Sequence, residues 1–147
     1  MIAARDRLSA LQAQAAAGVI DLVFVDESEV LTQPSLARCW ARRGTDLRIQ
    51  APGQRQKIAL LGAWDPRRHE LLVHTSLTKR SDDFIALLDR IGVAYEVEHR
   101  TKPLVLVMDN GSIHTSKKTT KALAERSWLT VEWLPTRRAA QQNTRPN

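Results

Sequence analysis

The sequence predicts an α/β domain built on a mixed sheet with flanking helices, and three observations carry that expectation. Two short apolar runs, Leu22–Val25 and Leu104–Met108, each lead straight into an aspartate, Asp26 and Asp109. Val-rich apolar runs bounded by breakers read as strands buried on both faces, the usual state of parallel strands. Between them Phe84, Ile85, Leu87, Leu88 and Ile91 repeat at helical spacing, which supplies the crossover a parallel neighbour requires. Finally, Lys57–Trp64 and Glu70–Thr75 flank Asp65-Pro66 and predict a strand, a turn and a return strand.

Taken in order, Ala3 to Ala17 is Ala-rich and predicts a helix stopped by Gly18, with Leu8, Leu11 and Ala15 as a weak apolar stripe. The strand Asp21–Val25 delivers Asp26, while alternation sends Glu27 to the opposite face in a supporting or structural role. Thr32 to Ser35 reads as a loop, and Arg38–Gly44 as a short strand and turn, with Trp40 a packing aromatic beside the thiol of Cys39. Arg38, Arg42 and Arg43 belong either to a solvated face or to a phosphate-contacting one. Thr45–Gln56 is polar and turn-rich. His69 and His74 lack neighbouring ligands and read as ordinary polar residues.

Ser81 is placed to cap the crossover helix, Asp82 and Asp83 suit its first turn, and Gly92 ends it. Pro103 is tolerated only at a strand's beginning. Asn110-Gly111 signals a turn, and Ser112 to Ser116 supplies caps for a helix running to about Trp128. His114 stands near that helix start, close enough in sequence to reach the site, where it suits either a phosphate or water contact or a capping or packing role. Lys117, Lys118 and Lys121 follow on the first turns, where the helix dipole disfavours cations. They face either phosphate or solvent. Leu129–Leu134 is the last strand, with Val131 and Trp133 on one side and Glu132 on the other.

The repeated pattern of apolar run then Asp directs attention to chemistry. Adjacent strands lie ~4.8 Å apart, so parallel neighbours in register would bring Asp26 and Asp109 within bridging distance of one metal site. Like charges that close raise each other's pKa, and a cation relieves them. Carboxyl ends of parallel strands are also where open α/β sheets place ligands.

VFVDES, CWARRG, KIALLGAW, VLVMDNGSIHTS and LTVEWLP together resemble the catalytic domain of mariner-type transposases, in the bacterial insertion-sequence branch. That family belongs to the DDE superfamily of ribonuclease H-like endonucleases. The resemblance implies a ribonuclease H-like mixed sheet over 21–135, preceded by a linker helix over 1–20. It matches Asp26 to the first catalytic Asp and Asp109 to the second, both holding Mg2+ or Mn2+. It further implies DNA, as transposon ends and target, for a partner, for which Lys117, Lys118, Lys121, Arg42, Arg43 and His114 are the candidate contacts on the residue-level readings above. A homo-oligomer or a complementing transposase chain is a further expected partner. In relatives a helix such as 1–20 follows a DNA-binding region, and a chain without that helix-turn-helix region is the expectation here.

The departure comes after Leu134-Pro135. The family continues to a catalytic Glu opening a final helix, and counting along its pattern reaches Arg145, a cation. Residues 136–147, TRRAAQQNTRPN, contain no acidic group and read as an irregular tail of the kind a frameshift produces. The final helix is therefore expected to be missing, and the tail to be loosely attached.

With 147 residues, 43% hydrophobic and 26% charged, the chain suits one soluble globular domain. A formal charge of +6 and a pI near 10.1 favour an anionic partner. The single Cys39 excludes an internal disulfide and a Cys-cluster zinc site. No apolar run approaches the ~20 residues of a membrane helix, and a cytoplasmic protein without membrane contact is expected. Three readings follow: an inactive or incomplete transposase catalytic domain; a nuclease whose third ligand comes from Glu27, Glu132 or a partner chain; or a non-catalytic nucleic-acid-binding or assembly protein on the same scaffold.

Overall fold

A computed structural model describes residues 2–32, 38–48, 53, 56–99 and 101–135. Helix α1 (Ile2–Ala16) leads into strand β1 (Asp21–Leu31), followed by β2 (Lys57–Asp65) and β3 (Glu70–Ser76). Helix α2 (Ser81–Ala94) then crosses over to β4 (Leu104–Met108), and two short helices, α3 (Ser112–Thr115) and α4 (Lys117–Ala124), lead to β5 (Leu129–Trp133). The five strands form one mixed sheet in the order β3-β2-β1-β4-β5, parallel across β1/β4 and β4/β5 and antiparallel elsewhere. Among the described residues no helix follows β5, and none is long and apolar enough to cross a membrane.

Strand alternation divides the sheet into two apolar faces. Val23, Val25, Ala59, Leu61, Ala63, Leu104, Leu106 and Met108 turn toward α2, whose Phe84, Leu87, Leu88 and Ile91 are fully buried against them. Leu22, Val105 and Val107 turn the other way, onto Leu8, Leu11 and Ala15 of α1. The stripe on α1 is narrow because the rest of that helix is Ala, Gln and charge. Gly18, at φ +77°, ends it with Val19 N–H donating to Gln14 C=O and Gly18 N–H to Ala15 C=O. That pairing needs a left-handed residue, which glycine adopts without a Cβ clash.

Several expectations need correction. β1 runs to Leu31 instead of stopping at Val25, because β2 pairs with it from Phe24↔Trp64 through Leu31↔Lys57. Arg38–Gly44 holds a turn and no strand; Trp40 is fully exposed and Cys39 is exposed too, neither packing into a core. Ser81 is the first helical residue and Arg80 the cap, while α2 passes Gly92 to Ala94. The helix expected from Ser112 to Trp128 breaks at Ser116, whose extended backbone (ψ 151°) lets its side chain accept from Thr119 N–H and start α4 anew. It stops at Ala124, and Trp128 instead packs over Gly92. The expected loop at 33–35, half of 45–56 and the tail 136–147 with Arg145 lie outside the described residues.

At the far end of the sheet a buried polar group anchors the β2–β3 turn. Asp65 accepts from Arg67 N–H and Arg68 N–H and from the hydroxyl of Tyr95. Burial and the Asp65 carboxylate push the Tyr95 phenol well above its ordinary range, so it stays a donor. Tyr95→Phe leaves one buried carboxylate oxygen without that donor and should cost about 1–3 kcal/mol in urea unfolding. A change under a few tenths would mean water replaces the hydroxyl.

Candidate metal centre

The parallel register Asp21↔Leu104, Leu22↔Val105, Val23↔Leu106 and Phe24↔Val107 gives paired residues the same face. Continued two positions, it puts Asp26 and Asp109 on one side of the sheet, that of Phe24 and Val107. Both carboxylates line a cavity of about 600 Å³ with Phe24, Val107, Asn110, Gly111, Leu134 and Pro135. Its outer wall is fixed to the sheet by Leu134 N–H donating to Met108 C=O at 2.8 Å and Asn110 Nδ2 donating to Leu134 C=O at 3.0 Å.

Asp26 lies opposite Gly62 on β2, so no neighbouring side chain covers it from that strand. It is exposed, and its Oδ1 accepts from Glu27 N–H at 2.9 Å. Asp109 is exposed as well, and its Oδ1 accepts from Gly111 N–H at 2.8 Å. That turn requires glycine: a Cβ at 111 would stand 2.9 Å from the same oxygen and 3.3 Å from His114 Cδ2. Among the described residues neither Asp26 nor Asp109 is paired with Lys or Arg; Asp109 has only His114, at 3.7 Å. Exposed carboxylate oxygens without a protein cation are the donor set a hard divalent ion takes. The residues present therefore fit Mg2+ or Mn2+.

Glu27, as alternation requires, faces the α2 side. Its Oε1 is 2.8 Å from His114 Nε2, and both side chains are buried, at 8% and 0% exposure. The ring packs edge-on against Phe84, with centroids 4.5 Å apart. The approach to Glu27 is close without being an aligned hydrogen bond, and Nδ1 has no protein hydrogen-bond partner. The imidazole beside it holds the Glu27 carboxyl below the ordinary range, outweighing burial, which pushes the other way. Glu27, Asp109 and His114 each place a ligand atom within 4.8 Å of the others. Sequence reading treated Glu27 and His114 separately; only alternation at Glu27 hinted at the pair.

The remaining candidates do not converge on this cavity. Lys117, Lys118 and Lys121 are exposed on α4; Lys118 pairs with Asp82, and Lys121 lies 3.9 Å from Glu125. Arg42 and Arg43 are exposed in the segment before Gly44. Glu132 accepts from Arg7 of α1 at 2.9 Å, and His74 is 3.9 Å from Asp83.

Residues 21–138 match the family described as DDE superfamily endonuclease. Over 112 residues the chain is 31% identical to the insertion element IS630 uncharacterized 39 kDa protein of Shigella sonnei, covering 76% of this chain and 32% of that protein. It thus spans about a third of the length of that relative. Among solved structures, the mariner Mos1 paired-end complex with Mg superposes with a TM-score of 0.57 at 16% identity, covering 90% of this chain and 40% of that one. The catalytic domain of Mos1 mariner transposase gives 0.53 at 15% identity, covering 88% and 56%. These structures share the ribonuclease H-like fold expected from the sequence, and the sequence matches carry the assignment: the chain belongs to the DDE superfamily of endonucleases.

Proposed function

We propose that this chain is a transposase catalytic domain that holds a divalent metal through Asp26 and Asp109 and engages DNA, yet lacks a third acidic ligand. The observation that carries the reading is the convergence of those two exposed carboxylates on one cavity at the end of the parallel strands. The relatives, an insertion element protein and mariner transposase complexes, support DNA transposition as the process. When bound, the metal supplies activation of an attacking oxygen and stabilisation of a leaving one on a phosphodiester.

The chain's own residues do the rest. Asp26 offers the oxygen that does not receive Glu27 N–H, and Asp109 the one that does not receive Gly111 N–H. The backbone thus orients each carboxylate before any ligand arrives. Leu134 and Pro135 form the apolar wall facing them. Arg145 cannot replace a carboxylate, since a guanidinium is always charged and repels a cation.

Mn2+ titrated into the protein should bind at one saturable site, followed by the loss of its solution electron paramagnetic resonance signal. Asp26→Asn or Asp109→Asn should abolish that binding. DNA nicking by the unaltered chain should stay near background, and replacing its tail with the family-like ending, including Arg145→Glu, should raise it in Mg2+. Strong Asp26-dependent nicking by the unaltered chain would refute the incomplete-site reading.

DNA affinity should fall steeply with salt as phosphate counterions are released. Lys118 and Lys121 are free to exchange Asp82 and Glu125 for phosphate, because such exposed pairs hold weakly. Replacing Lys117, Lys118 and Lys121 by Ala should therefore reduce the log–log salt slope by up to about 3, roughly one per lost contact. An unchanged slope would return all three to a solvated face.

A further inference from the structure

Beyond the two aspartates, the buried pair beneath them has no role in the reading above. We propose that Glu27 and His114 act together as positioning residues that aim Asp109 at the cavity and fix its placement relative to Asp26. The inference rests on the proposed metal reading, and extends it to the groups that set the site's geometry.

Glu27 is joined to Asp26 by one peptide bond but points to the other face of β1, so its position is rigidly coupled to that of Asp26. His114 belongs to α3, just beyond the turn that carries Asp109. The 2.8 Å approach of Nε2 to Glu27 Oε1 therefore ties the middle of β1 to the helix that follows the Asp109 turn. The same Nε2 is 3.7 Å from Asp109 Oδ1, the oxygen that also receives Gly111 N–H. Both contacts fall on one carboxylate oxygen, leaving the other uncommitted among the described residues. Phe84 holds the imidazole edge-on from below, and His114 is wholly buried. The ring cannot swing away without opening the core.

Stability alone does not account for this arrangement. Burying an ionisable pair sacrifices solvation, and well-packed apolar residues of like volume often do as well or better in its place. A glutamate directly beneath the candidate ligands is more readily explained by what it holds. Groups that orient a ligating carboxylate or imidazole typically change metal affinity about 10- to 100-fold when removed.

The test is Mn2+ affinity measured by the free-ion resonance signal, alongside thermal unfolding, in the whole chain. Glu27→Gln keeps the side chain's shape and should weaken Mn2+ binding about 10- to 100-fold while the far-ultraviolet circular dichroism stays unchanged. His114→Ala should weaken it similarly, and His114→Gln, whose amide nitrogen can stand near the Nε2 position, should recover part of the loss. The double variant should bind about as weakly as either single one, because the two residues act as a unit. If His114→Ala does not fold, Glu27→Gln decides alone. Unchanged affinity in a folded Glu27→Gln protein, with binding still lost in Asp109→Asn, overturns this inference and leaves the metal reading standing. Absence of Mn2+ binding by the unaltered chain overturns both. A nitrogen hyperfine coupling to bound Mn2+ that disappears with His114 would make the imidazole a ligand, and would overturn the positioning role.

Discussion

The parallel register between β1 and β4 is the constraint on which everything else depends. Its four residue pairs, from Asp21↔Leu104 to Phe24↔Val107, decide which side chains share a face. A slip of one residue in either strand would send its whole set to the other side. Asp26 would then enter the core under α2, and Glu27 would enter the cavity. Two cores hold the register against that slip. Val23, Val25, Leu104, Leu106 and Met108 are at most 5% exposed on one face, while Leu22 and Val107 are at most 2% exposed on the other. At roughly 1.5–3 kcal/mol per fully buried large apolar side chain, inverting even part of this set outweighs any electrostatic preference of two exposed aspartates. Apolar packing places the carboxylates.

That logic also explains what the amino-acid sequence discloses. The strands β1 and β4 are visible as apolar runs because both faces are buried, and α2 because one stripe of it is. The extension of β1 through Glu27, Ser28 and Glu29 has no such signature; these residues form a strand only because β2 supplies ladder partners. Arg38–Gly44 fails for the opposite reason, having strand-like residues without a neighbouring strand among those described. At Ser116 local chemistry overrides periodicity: its hydroxyl offers the Thr119 amide a partner outside the helix ladder, and the helix divides there. Asp26 and Asp109 were legible because a pattern repeats. The Glu27–His114 contact was not, because it joins residues far apart in the chain that have no shared local pattern.

The consecutive residues Asp26 and Glu27 illustrate how a strand separates two electrostatic problems. In an irregular loop, neighbouring carboxylates can share one environment and raise each other's pKa. Here alternation sends one to an open cavity and the other into the core. Asp26 stays exposed, with no Lys or Arg paired to it among the described residues. Glu27 loses most of its solvation, which is tolerable only with His114 against it and with that contact lowering its pKa despite burial. The desolvation thereby falls on a pair that turns to the α2 side of the sheet. Among the described residues of a chain of net charge +6, the pocket's two aspartates have no Lys or Arg paired with them, and Lys118 and Lys121 lie on α4 beside acids of their own.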